Sequence, residues 1–267
     1  MTERAQKASG FTIIELLLAM AIFLVICGAM FELLQLSQQR YSTETQLSGS
    51  FQEVRLAMDQ ISRDVGDAGF PTASMYSSSS NANLFAPAPV AWSPNYPTSP
   101  CSLGVSCSPT PGDFDLILET TIPNATGVPT LSWIRYQLKA DGTLYRGSVA
   151  KNGTDPVGST STAGVMVPFL VNVMNNAPVT APSQFTQIQA QYPAMFFGGV
   201  SVPIFQYMCD TPSGTLACSG AGQYNSPKNI RDVDITLIVM TQQPDAQTHQ
   251  LQLIELNGRG QRLNPAN

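Results

Sequence analysis

From Phe11 to Leu34 the chain is almost unbroken apolar sequence, and only Thr12, Glu15 and Glu32 are strongly polar within it. No other segment constrains the fold as much. Twenty-four helical residues span about 36 Å, enough to cross a bilayer core of about 30 Å. Arg4 and Lys7 lie in the short head before the apolar run, which places that head in the cytoplasm and the rest of the chain outside. A secretory signal carries its small-residue cleavage site after the apolar region. Here Ser9-Gly10 comes before it, so a cut there leaves the hydrophobic helix on the mature chain. Glu15 is the anomaly. A carboxylate inside a membrane helix is costly unless paired or close to an end, and nothing in the local sequence neutralises this one.

The stretch Gly10-Phe11-Thr12-Ile13-Ile14-Glu15-Leu16-Leu17 resembles the prepilin cleavage and methylation signature of type IV pilins and type II secretion pseudopilins. The resemblance implies cleavage after Gly10 by a membrane aspartyl prepilin peptidase, and methylation of the new amine of Phe11. It further implies that Glu15 meets the positive N-terminal amine of a neighbouring subunit in a helical filament. Elementary electrostatics agrees, because opposite charges in close contact attract strongly enough to offset the penalty of placing one in an apolar medium. The competing reading of Glu15 is a snorkelling carboxylate on a simple anchor, which leaves the Gly10-Phe11 junction without a purpose.

Beyond Leu34 the pattern turns amphipathic. Leu36, Leu47, Phe51, Val54, Met58, Ile61 and Val65 recur at helical spacing, and Gly66, Gly69 and Pro71 end the pattern. We therefore expect one helix from about Phe11 to Val65, apolar all round in its first half and striped in its second. Arg55 with Asp59, and Asp59 with Arg63, are spaced to pair on another face. The chain thus divides into a leader (1–10), a transmembrane helix (11–35), the amphipathic continuation of that helix (36–66) and a β-rich head (67–267).

Residues 71–112 are rich in proline and serine and read as a long loop, with Trp92 and Tyr96 as aromatic anchors or contact residues. Strand patterns follow at 113–121, 131–139, 143–149 and 165–173, with a hairpin turn at Asp141-Gly142. Residues 151–164 and 175–199 read as loops. Val200 to Met208 is a strand interrupted by Pro203. Ile230 to Thr241 alternates most clearly, with Val233, Ile235, Leu237 and Val239 inward and Asp232, Asp234 and Thr236 outward; 251–256 is its expected partner.

Of the five cysteines, Cys27 lies in the membrane helix and behaves as a small apolar residue. Cys101 with Cys107, and Cys209 with Cys218, fall in polar loops of a segment expected outside the cytoplasm, where disulfides persist. Two local bridges are the favoured pairing. Crossed pairing and a four-cysteine metal site are the alternatives, and the spacing does not suit structural zinc.

Catalytic signals are absent. The one histidine, His249, sits near a turn; no nucleophile elbow, phosphate-binding glycine loop or H-E-x-x-H occurs. The pairs Asp113/Asp115 and Asp232/Asp234 put two carboxylates on one strand face, where calcium or acid–base chemistry is conceivable and solvated surface carboxylates are the plainer reading. Charged residues make up 12% of the chain, and loss of Glu3, Arg4 and Lys7 with the leader takes the formal charge from −5 to −6. No basic patch is left for nucleic acid. No cofactor or metal is expected, and the chain does not read as an enzyme.

The expected fold class is α+β: a long N-terminal helix, transmembrane in its first half, packed on a mainly antiparallel β-sheet with long loops. That plan also fits the pilin architecture which the N-terminal resemblance implies. Asp64-Val65-Gly66-Asp67-Ala68-Gly69-Phe70, the Asp141-Gly142 hairpin with Leu144-Tyr145-Arg146, and Ile230-Arg231-Asp232-Val233-Asp234-Ile235 look most like PilW-type minor pilins. J-type pseudopilins of type II secretion are the next resemblance, and a membrane-anchored binding protein or adhesin is the reading from a different class. The implied partners are prepilin peptidase, other major and minor pilins through the helix, an inner-membrane assembly platform, and lipid before assembly. The implied location is the inner membrane, N-terminus cytoplasmic and head periplasmic, and then the filament.

Overall fold

The computed structural model describes residues 12–76, 81, 83–86, 89–91, 113–124, 126–153, 155–245 and 248–264. Its first element is a single helix, α1 (Ile13–Asp67), capped by Thr12. The helix stops where the chain turns extended at Ala68 and left-handed at Gly69 (φ 92°), whose N–H donates to the Glu119 carbonyl at 2.8 Å. A side chain at that φ is strained, so glycine is the natural residue for a turn that hands the chain from helix to sheet.

Two antiparallel sheets receive the far end of α1. Strands β1 (Val90–Ala91), β2 (Asp115–Pro123), β3 (Pro129–Leu138), β4 (Leu144–Ala150) and β5 (Met166–Leu170) lie in sequence order in the first. The second, in the order β7-β6-β8-β9, is built from β6 (Phe205–Thr211), β7 (Gly214–Ala217), β8 (Ile230–Met240) and β9 (Leu253–Gln261). The sequence pattern suggested one sheet; period-2 alternation reports which face of a strand is buried and not which strands pair. The sheets are stitched where Val173 bridges Val239 and where the Phe205 N–H reaches the Asp113 carbonyl. Buried Asn175 completes the seam: its amide donates to the carbonyls of Val202 and Thr236, and its oxygen accepts from the Ile238 N–H.

Val54, Ala57, Met58, Ile61, Val65 and Ala68 bury the helix stripe in the main core against Leu116, Leu118, Ile134, Tyr136, Val233 and Ile235. Close approach of helix to sheet depends on glycine. A Cβ at Gly260 of β9 would lie 2.7 Å from the Val65 Cβ, and one at Gly258 would collide with the Met58 side chain. The expected stripe is truncated, however. Leu36 and Phe51 are 38% and 45% exposed, because the head begins to touch α1 only where Gln46 donates to Gln243 at 3.2 Å.

Several local expectations change. A helix α3 (Pro182–Gln191) occupies a stretch read as loop; Pro182 starts it and Phe185 and Ile188 bury one side in a small second core with Phe196 and Ile238. A short helix α2 (Pro156–Thr160) lies within the 151–164 loop, capped by Asp155. Strand β6 begins after Pro203 rather than running through it, and β9 extends five residues past the expected end. Among the described residues the Arg55–Asp59 and Asp59–Arg63 pairs are not among the ion pairs that form; those lie within the head or, for Asp64 with Arg146, join α1 to it.

Buried charge is paired and locks helix to sheet. Asp64 of α1 accepts from the Arg146 guanidinium at 2.8 Å and from the Tyr136 hydroxyl. Burial, together with the Asp64 carboxylate, pushes the Tyr136 phenol far above its ordinary pKa. Arg135 grips Asp115 through two nitrogens at 2.9 and 2.6 Å, and Lys151 pairs with Glu119 at 3.1 Å beside the Trp133 indole. The acidic pairs read as solvated surface groups are therefore part of this framework. Asp115 is largely enclosed, and Asp232 of β8 is 1% exposed with Arg259 as partner, while Asp234 and Asp113 stay accessible. Strand alternation places Asp232 outward, but β9 runs alongside and Arg259 folds over it.

Candidate assembly site

The N-terminal end of α1 is held by a reciprocal cap. Glu15 Oε2 accepts from the Thr12 backbone N–H at 2.9 Å and from its hydroxyl at 3.1 Å, while the Glu15 N–H donates back to the Thr12 hydroxyl at 3.3 Å. Such a box satisfies N-terminal donors that a helix cannot satisfy itself, and a carboxylate in the first turn also suits the positive end of the helix dipole. Glu15 therefore has local hydrogen-bond partners, which the sequence reading did not include. Its negative charge is not matched by any of them, so it stays available to a cation.

From Ile13 to Thr45 the helix stands clear of the head for about 50 Å. Its apolar residues point in every direction and nearly all are exposed: Leu17, Phe23, Leu24, Phe31 and Leu33 each show 60% or more of their surface. Among the described residues this is the one helix long and apolar enough to cross a membrane. Each such side chain gains about 1.5–3 kcal/mol when it is fully buried, so the segment requires lipid or other helices around it.

Residues 5–31 match the family described as the prokaryotic N-terminal methylation motif. That match supports a type IV pilin-like protein. The family is a structural one, the motif implies processing by prepilin peptidase and assembly with other pilins, and together with the apolar helix it supports anchoring in a membrane. No curated protein and no solved structure matches the chain.

The other candidate residues of this pilin-like chain fall as follows. Gly10 and Phe11 lie outside the described residues, immediately before the Thr12 cap, as do Cys101, Cys107, Trp92 and Tyr96. Cys209 of β6 and Cys218 are joined by a disulfide with Cα atoms 4.9 Å apart, both buried, closing the β6–β7 hairpin onto the 3-10 turn Cys218–Gly220. Cys27 is a free thiol on the membrane helix. His249 is exposed in the β8–β9 turn with φ 53°. Among the described residues no three His, Cys, Asp or Glu side chains gather as a metal site.

Sequence reasoning missed the local cap at Glu15 and the glycine pair of β9. Both had a signal. Thr-x-x-Glu is the capping-box spacing, and glycines two apart in a strand mark close approach on one face.

Proposed function

We propose that this chain is a minor pilin, cut after Gly10, methylated on Phe11, and inserted through α1 into a type IV pilus whose assembly it initiates or supports. The observation that carries this reading is the roughly 50 Å of exposed helix headed by the processing motif. Leaving lipid for a bundle of neighbouring helices keeps that surface dry, and the head, rigidly joined to α1 by Asp64, Tyr136 and Arg146, travels with it. Glu15 sets the register: a subunit slipped along the axis leaves its carboxylate and its neighbour's amine unpaired in an apolar medium. Before assembly the head is periplasmic and the leader cytoplasmic.

Replacing Glu15 by Ala tests this. Membrane insertion and cleavage should persist while recovery in sheared filaments falls to background; normal incorporation would refute the register role. Recovery in a secretion pseudopilus instead of a pilus would assign the same helix to the J-type reading, and a chain that keeps its leader and never enters a filament would make it a membrane-anchored binding protein.

A further inference from the structure

The head first meets α1 at the Gln46–Gln243 contact, so the end that carries Gln243 is the one nearest the apolar half of the helix. Met240 closes β8 just before it and belongs to the small core with Ile238, Phe185, Ile188 and Phe196. The Tyr192 hydroxyl ties the end of α3 to the Leu251 carbonyl at 3.1 Å, where the chain returns toward β9. The small core and α3 therefore sit at this same end. They also lie on the far side of the second sheet from α1. Leu237 and Val239 face the main core, where the α1 stripe packs, whereas Ile238 and Met240 alternate with them and face the small core.

Phe197 stands out from this end. Its neighbour Phe196 is buried and packs edge-on against Phe185, but Phe197 is 88% exposed, the most exposed large apolar side chain among the described residues. Gly198 and Gly199 follow it, both left-handed (φ 72° and 67°) with open space around them. Val200 is exposed beyond them, and so is Val179, whose N–H donates to the Ala140 carbonyl at the β3–β4 turn. No charged side chain occurs from Pro156 to Cys209. A solvated surface normally carries charge. An aromatic knob on neutral ground is the composition of a surface that lies in a membrane interface.

We propose that this end of the head rests on the bilayer that α1 crosses before assembly, with Phe197 sunk into the boundary between headgroups and acyl chains. The inference rests on the membrane placement of α1. Arg40 and Tyr41 are exposed about one turn past Leu36, the last residue of the apolar run. Side chains of these types mark the headgroup level, and Gln46 lies about 8 Å further along the helix. The second sheet separates α3 from α1, so at about 10 Å per layer Phe197 stands about 20 Å to one side of the helix axis. A perpendicular helix holds it above the lipid. A tilt of about 25–35° toward α3 lowers it by about 8–11 Å, and membrane helices tilt by about 20° on average and up to about 40°. Because α1 keeps this face within reach of lipid, one aromatic side chain suffices where a free protein would need a larger surface. The neutral stretch strands no charge on contact and needs no anionic lipid. Entry into a filament withdraws α1 and Phe197 together, so the contact belongs to the waiting subunit alone.

The test is Phe197→p-benzoylphenylalanine in the full-length chain, reconstituted in phosphatidylcholine vesicles and photolysed. Two comparison chains carry the same photoreactive residue at Phe23, in the apolar run, and at Val128, exposed in the β2–β3 turn at the opposite end of the head. The expected result is that the peptide with position 197 gains the mass of one phosphatidylcholine, at a yield roughly tenfold or more above that at position 128. Replacing part of the lipid by phosphatidylglycerol should leave that yield unchanged. A lipid adduct at position 23 with none at 197, or equal yields at 197 and 128, overturns the docking while leaving the membrane placement of α1 intact. So does an adduct at 197 that forms only with phosphatidylglycerol present, or one made to a second copy of the chain in place of lipid. Absence of a lipid adduct at position 23 would overturn the membrane placement and the docking with it.

Discussion

Gly260→Ala is the sharpest probe of how the head is fixed to the helix. The added Cβ would sit 2.7 Å from the Val65 Cβ and 2.9 Å from its Cγ1, well inside van der Waals contact. Val65 is fully buried and β-branched, so on a helix it has one good rotamer and cannot swing aside. The strain must be taken up by moving α1 off β9. Overpacking of this kind costs about 1–3 kcal/mol, and the lower chain entropy of alanine in the unfolded state returns about 0.4–1, which leaves roughly 1–2 kcal/mol. For a head of about 200 residues that is a drop in Tm of roughly 2–8 °C. At Gly258 the clash is with the Met58 thioether, an unbranched side chain that can re-route, so Gly258→Ala should cost clearly less. Thermal melts of the full chain in detergent, followed by tryptophan fluorescence, give both values. Adding Val65→Ala to Gly260→Ala should recover part of the loss, a coupling of about 0.5–3 kcal/mol expected of touching residues. Wild-type stability in Gly260→Ala, or equal costs at the two glycines, would refute the argument that Val65 pins helix to strand.

Two further outcomes follow from the polar framework. Tyr136→Phe removes the hydroxyl that donates to Asp64 and should cost about 1.5–3 kcal/mol in a denaturant titration, the range for hydrogen bonds to charged groups. At the β3–β4 turn, partial desolvation pushes the Asp141 carboxyl up, but the Thr143 N–H and the Tyr145 hydroxyl outweigh it and hold the carboxyl below its ordinary pKa. A depressed carboxyl contributes stability above its unfolded pKa and loses it as pH falls through the folded one; Asp141→Asn should therefore be destabilising at neutral pH and neutral at the acid end of a pH series of melts.

Much of this architecture was legible in the residues. The helix, its far terminus at Gly66 and Gly69, the Asp141-Gly142 hairpin and the β8–β9 pairing all rest on short-range signals: periodicity, glycine at positive φ, alternation. What was hidden depends on long-range placement. Asp64, Tyr136 and Arg146 are far apart in sequence and become one buried network only when α1 crosses β3 and β4. Asp232 alternates like a surface residue, and the neighbouring Arg259 makes its burial tolerable. The proline density around 178–193 masked α3, whose helical spacing is only Phe185 and Ile188. At the assembly site the apolar run and its Glu15 carboxylate pointed to the function, while the Thr12–Glu15 cap, a four-residue motif at the head of that run, joins two polar residues whose pairing is local.

The central claim is that α1 is a processed assembly helix rather than an anchor. Mass spectrometry of the N-terminus of the chain purified from its native membranes tests it most directly. The account predicts that residues 1–10 are gone and that the chain begins with N-methylated Phe11. A chain that still begins at Met1, or one cut after the apolar segment, would contradict it.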